Sequence, residues 1–244
     1  MLISTATSTD EATRSAKVAV LPVGSFEQHG AHLPLSTDTL IAATIAHRIA
    51  TDYHLLLLPP VTISCSHEHS GFAGTVSISA STLNAIVTDV AASLRQAGVP
   101  RLAIVNAHGG NYVLSNVVQQ ANVSGTSTIL FPRSDDWSDA RRSAGVTTNN
   151  HEDMHAGEAE TSILLATHPE SVRPGYRDAD NSVDDRRHLL TTGMSALAPD
   201  GVIGRPSLAS AEKGKALLDA FSELFASHLE LLTAPSRTRN SALS

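Results

Sequence analysis

Short apolar runs alternate with amphipathic spacings along this chain, and that alternation limits the fold more than any other feature. Residues 17–23 form one apolar run, residues 55–63 a second broken by Pro59-Pro60, Arg101 to Asn106 a third and Ser127 to Phe131 a fourth. Helical patterns are interleaved with them over Thr39 to Ala50, Ser79 to Ala97, about Tyr112 to Ala121, Glu158 to Thr167 and Ala211 to Leu232. In the second of these, Leu83, Ile86, Val87, Val90 and Leu94 recur at helical spacing before Gly98 closes the pattern. Strands separated by helices predict an α/β fold with a parallel sheet covered on both faces. A chain of 244 residues, 41% of them hydrophobic, suffices for one domain with a substantial core, placed here at residues 17–232. The flanks, 1–16 and 233–244, lack periodicity and read as flexible tails.

Sites in such sheets lie beyond the carboxyl ends of strands. The first run is followed by Glu27, His29 and Asp38, hard-oxygen and imidazole donors of the kind zinc, manganese and iron take. Residues i and i+2 of an extended chain point to one side, so Glu27 and His29 can reach toward one point. Taken singly, Glu-x-His reads as a solvated loop and Asp38 as a helix N-cap. The third run ends at His108-Gly109-Gly110, where two glycines let the backbone turn and approach something closely. A third cluster spans Asp153 to Ser162 with His155, Glu158 and Glu160; the two acids also suit the first turn of a helix. His151-Glu152-x-x-His155 matches the H-E-x-x-H pattern of zinc peptidases, but Gly157 breaks the helix that pattern needs, so it reads as a decoy. Ser66 to Thr75, with Glu68 and His69, is a polar loop that either lines a pocket or lies on the surface. The polar stretch from Phe131 to Asn150 is long enough for a lid, with Trp137 either covering a ligand or packing.

A net charge of −7 and 4% aromatic content give no footprint for nucleic acid. The single Cys65 excludes an internal disulfide framework and fits the cytoplasm. No apolar run approaches 18 residues, and the first 17 lack a signal-peptide core, so no membrane anchor is expected.

Together these clusters resemble the creatininase (creatinine amidohydrolase) family. The likeness is carried by Gly24 to Gly30, His32 to Asp38, Ser66 to Thr75, Asn106 to Asn111, His155 to Ser162, and Gly201 to Pro206 with Ala211 to Gly214. It runs from about residue 18 to 230. The resemblance implies a three-layer α/β sandwich with a mostly parallel central sheet, two divalent metal ions per chain (Zn, Mn or Fe), hydrolysis of non-peptide C–N bonds in a small-molecule amide, and a homohexamer. Carried over by position, Glu27, Asp38 and His108 would hold one ion, and His29, Asp38 and Glu160 the other. His155 would carry protons, while Glu68, His69 and Trp137 would shape the pocket. Creatininase itself has a Glu where this chain has Gly110, which counts against creatinine as substrate, as does the absence of a second Trp. Ala73 replaces a proline common among relatives. The chain also resembles mycofactocin-type peptidases of the same family, which trim a short precursor peptide. A non-catalytic metal-binding protein is the remaining alternative.

Overall fold

A computed structural model describes residues 3–234. Four parallel strands, β1 (Val18–Val23), β2 (Leu56–Leu57), β3 (Arg101–Asn106) and β4 (Thr128–Phe131), lie in the order β2-β1-β3-β4. The central pair is in register from Val18 opposite Arg101 to Val23 opposite Asn106. All six residues of β1 are buried, as expected of a strand covered on both faces. The expected second strand is only two residues long. Pro59 and Pro60 have no N–H to give a ladder, and the chain rejoins β1 beyond them only through Val61.

Helices α2 (Thr37–Asp52), α5 (Ser134–Ser143), α6 (Glu158–Thr167) and α9 (Ala211–Thr233) cover one face, and α3 (Ala80–Gln96) and α4 (Val113–Ala121) cover the other. This is the three-layer sandwich expected. Ser79 caps α3 by accepting from the Thr82 N–H, and Ser210 caps α9 through Lys213. Helices α6 and α9 pack with little space between them. A Cβ on Gly214 would stand 1.9 Å from the Ser162 carbonyl oxygen, so only glycine allows this approach. Residues 168–210 form 3-10 turns and two one-turn helices, α7 (Leu189–Thr192) and α8 (Met194–Leu197), around a small core of Met194, Ala198 and Ile203.

Two segments carry helices that no apolar spacing announces. The segment read as an N-terminal tail carries a helix, α1 (Ser8–Arg14), closed by a reciprocal Thr7–Asp10 capping box. None of its residues is buried, so it has no apolar spacing to announce it. Half of the polar stretch read as a lid is α5, with Asp135 and Asp136 in its first turn and Arg141 and Arg142 in its last, where the helix dipole favours them. The expected C-terminal tail lies, from residue 235, outside the described residues. No described helix is long and apolar enough to cross a membrane.

An aromatic group fixes α9 beneath the sheet. Phe221 is fully buried, edge-on to Phe131 at 6.2 Å and to Trp137 at 4.7 Å between ring centroids. Phe221→Ala should therefore cost about 3–5 kcal/mol, the usual range for emptying a buried aromatic site. Chemical denaturation reads this directly, and a loss below about 1 kcal/mol would contradict the packing described.

Candidate metal centre

The sheet delivers the polar groups to one end. Glu27 and His29 leave the carboxyl end of β1, and His108 stands just past β3. Asp38 lies in the first turn of α2, Glu160 in the first turn of α6, and His155 in the segment before α6. Glu27, His29, Asp38, His69, His108 and His155 are all buried, and Glu160 is half-buried.

Asp38 stands at the middle. Its Oδ1 is 3.0 Å from His29 Nε2 and its Oδ2 3.1 Å from His108 Nδ1; the Ser25 hydroxyl donates to Oδ2 at 2.7 Å. The imidazole tautomers follow from their other partners. His29 Nδ1 donates to the Glu27 carbonyl at 3.0 Å, so Nε2 is the ring nitrogen that faces Asp38, with Glu160 Oε2 4.0 Å away. His108 Nε2 donates to the Cys65 carbonyl at 2.8 Å, leaving Nδ1 toward Asp38. Glu27 completes the group, with its oxygens 3.2 Å from His108 Nε2 and 3.3 Å from His69 Nε2. Neither carboxylate oxygen of Glu27 accepts a well-formed hydrogen bond from a described residue, although both are buried. A buried, unbonded carboxylate is costly, and a bound cation removes that cost.

The donor atoms of Glu27, Asp38 and His108 lie within 4.8 Å of one another, as do those of His29, Asp38 and Glu160. Asp38 is common to both groups, and each could hold a metal ion. A third grouping, Glu27, His29 and His155, shares two of these residues.

The charges are strongly coupled. Burial opposes a proton on His29, but Asp38, with Glu160 and Glu27 behind it, outweighs burial and raises the imidazole to about 9. The same contest lifts His108 well above the histidine range through Glu27 and Asp38. Asp38 is held well below the carboxylate range by His29 and His108, against its own burial. Burial raises Glu160 to about 7, with His29 pulling it back. His155 and His69 go the other way. Burial, then neighbouring imidazoles, hold His155 well below its usual range, and burial lowers His69 to about 4 against the pull of Glu27.

His155 is fixed from two sides. Its Nε2 donates to the Gln28 carbonyl at 2.7 Å, and its backbone pairs with Ile203 in both directions. Its ring lies between those of His29 and His69, at 4.2 and 4.5 Å, with Nδ1 3.8 Å from Glu27 Oε1. Sequence reasoning passed over Gln28. Its amide nitrogen lies 3.0 Å from His69 Nδ1 and donates to the Gly201 carbonyl, tying three distant segments together. Glu68 sits beside His108 and His69 is buried in the cluster, so the 66–75 loop is part of the site. Trp137 packs on Phe221 and also lines a cavity of about 350 Å³ whose wall includes His108, Arg133 and Glu160. A larger cavity, about 580 Å³, lies between α3 and α4 at the amino ends of β3 and β4, the opposite end of the strands. His151 and Glu152 are exposed on a turn outside any helix, which removes the zinc-peptidase pattern.

The family description "Creatininase: Creatinine amidohydrolase" matches residues 4–229. The chain is 36% identical over 209 residues to a mycofactocin precursor peptide peptidase of Mycobacterium ulcerans (strain Agy99), covering 80% of this chain and 78% of that protein. It is 26% identical over 224 residues to a creatinine amidohydrolase of Pseudomonas putida, covering 83% and 84%. A manganese form of creatininase shares the fold with a TM-score of 0.78 at 23% identity, covering 95% of this chain and 98% of that one.

Proposed function

The chain belongs to the creatininase family, and we propose that it is a metal-dependent hydrolase that cleaves an amide C–N bond with a pair of divalent ions. The observation that carries this reading is the Glu27 carboxylate, buried without a hydrogen bond in a group where one aspartate serves two sets of donors. Glu27, Asp38 and His108 would hold one ion, and His29, Asp38 and Glu160 the other. Imidazole with carboxylate suits manganese, zinc or iron. When bound, such a pair supplies a water activated near neutral pH and a polarised carbonyl.

The chain's own groups do the rest. Ser25 fixes Asp38, and the Glu27 carbonyl fixes the His29 ring, so the ligand atoms are aimed in advance. Gln28 holds His155 Nε2–H on its carbonyl, which leaves Nδ1 to take a proton and pass it to the leaving nitrogen. A depressed pKa makes the protonated imidazole a strong acid, suited to that second half. The Trp137 cavity offers room for the substrate beside Glu160 and His108.

The scissile bond is proposed to be the amide of a short peptide, which the 36% identity to a precursor peptide peptidase supports. A small non-peptide amide, formamide or lactam is the second reading, and the modest cavity favours it. The test is turnover by manganese- or zinc-loaded protein on a panel of short peptides, N-formyl amines, lactams and creatinine. Cleavage of the peptides ahead of the rest supports the first reading, and the reverse order supports the second. Tight metal binding with no turnover anywhere would leave a metal-binding protein without catalysis. The homohexamer implied by the family resemblance belongs to the same reading. A stable monomer of 25.6 kDa in light scattering would contradict it.

Metal binding should be linked to pH. A proton on His29 competes with a cation for Nε2, and that proton stays until about pH 9 in the metal-free chain. Affinity is therefore expected to rise as pH climbs toward that value, with protons released on binding near neutral pH. Calorimetry in buffers of different ionisation enthalpy measures the release, and none at pH 7 would contradict the ligand assignment.

A further inference from the structure

One carboxylate beside the metal centre belongs to neither ligand set. Glu68 is carried by the 3-10 turn His67–His69, and its side chain retains 13% of its exposure. Its Oε1 lies 3.6 Å from His108 Nε2, the nitrogen that donates to the Cys65 carbonyl. What lets it approach is the residue at 110. A Cβ on Gly110 would stand 2.0 Å from Glu68 Oε1 and 2.4 Å from His108 Nε2. The backbone at Gly110 does not adopt the left-handed conformation that would itself demand glycine. Space is what excludes a side chain, and Glu68 and the His108 ring fill that space.

The geometry points to Glu68 as a positioning residue for His108, admitted by the missing side chain of Gly110. This rests on the reading of His108 as a metal ligand. A carboxylate on the far nitrogen of a ligating imidazole fixes its tautomer and strengthens its donor atom. The Cys65 carbonyl already fixes the ring, and Glu27 Oε2 lies 3.2 Å from the same nitrogen. Glu68 adds a negative charge on the same side, which makes Nδ1 a better electron donor toward the ion shared with Glu27 and Asp38. Negative charge distinguishes this role from mere filling of the gap, because an amide fills it equally well.

The experiment reads metal affinity rather than turnover. In a Glu160→Ala background, the ion at Glu27, Asp38 and His108 is expected to remain, and its affinity for manganese or zinc is measured by chelator competition. Adding Glu68→Gln should weaken it by roughly 10–100-fold, the usual effect of losing a partner behind a ligand. The unfolding midpoint of the metal-free protein should not move. Gly110→Ala should weaken the same ion at least as much, and combining the two should cost less than the product of the single effects, since both disturb one contact. Unchanged affinity in Glu68→Gln overturns the proposal while leaving the metal centre standing. A Glu160→Ala chain that holds no ion at all overturns the ligand assignment and this proposal with it.

Discussion

Asp38→Ala should empty both ion sites at once and lower turnover by at least about 10³-fold, or ~4 kcal/mol of barrier. The reason is the placement of its two oxygens. Oδ1 faces His29 and Oδ2 faces His108, so a single side chain serves both donor sets. Any other ligand belongs to one of those two sets. Glu160→Ala should lose one ion, recoverable in part with excess metal, whereas Asp38→Ala should lose two. Asp38 also sits in the first turn of a 16-residue helix anchored by Ile41, Ile45 and Ile49, so the fold should survive the substitution. Metal analysis after dialysis measures the outcome. A variant that keeps both ions would end the bridging role.

His155→Ala should behave in the opposite way, keeping the metals while losing roughly 10²–10⁴ in turnover, the range for removing a general acid or base. Its Nε2 is committed to the Gln28 carbonyl, and its Nδ1 stands 3.8 Å from Glu27. The sign of the pH effect follows from its environment. Burial and the neighbouring imidazoles favour the neutral ring, so its protonation lies on the acid side of the ordinary histidine range. Activity that requires the neutral ring at the outset falls as pH drops through that pKa. His155→Ala should therefore flatten the acid limb of the pH–rate profile and leave the alkaline limb in place. If His155→Ala sheds an ion while Glu160→Ala keeps both, the two roles are exchanged.

Much of this site is legible in the amino-acid sequence, for a physical reason. Glu27, His29 and His108 follow apolar runs that form the buried strands β1 and β3, and a parallel sheet gathers the carboxyl ends of its strands at one end. Asp38 and Glu160 are legible because they open helices, where a carboxylate is already favoured. Helix α5 is harder to read. Ser, Asp and Arg dominate it, and its signal is the placement of charge at its ends rather than an apolar stripe. The place of His69 depends on contacts across more than 40 residues, to Gln28 and Glu27, which no local pattern encodes. Gln28 escaped notice because an uncharged amide suggests no chemistry. Its importance lies in joining His69, His155 and Gly201. The two-residue β2 shows the converse, an apolar run whose prolines deny it a ladder.

The proposed centre holds a pair of ions through one shared aspartate. Metal-free protein loaded with manganese or zinc, cleared of excess and analysed for metal against protein concentration, tests it most directly. About two ions per chain are expected, as a two-ion hydrolytic centre requires, and almost none in Asp38→Ala. One ion or fewer in the unaltered chain, or two ions that persist in Asp38→Ala, would contradict it.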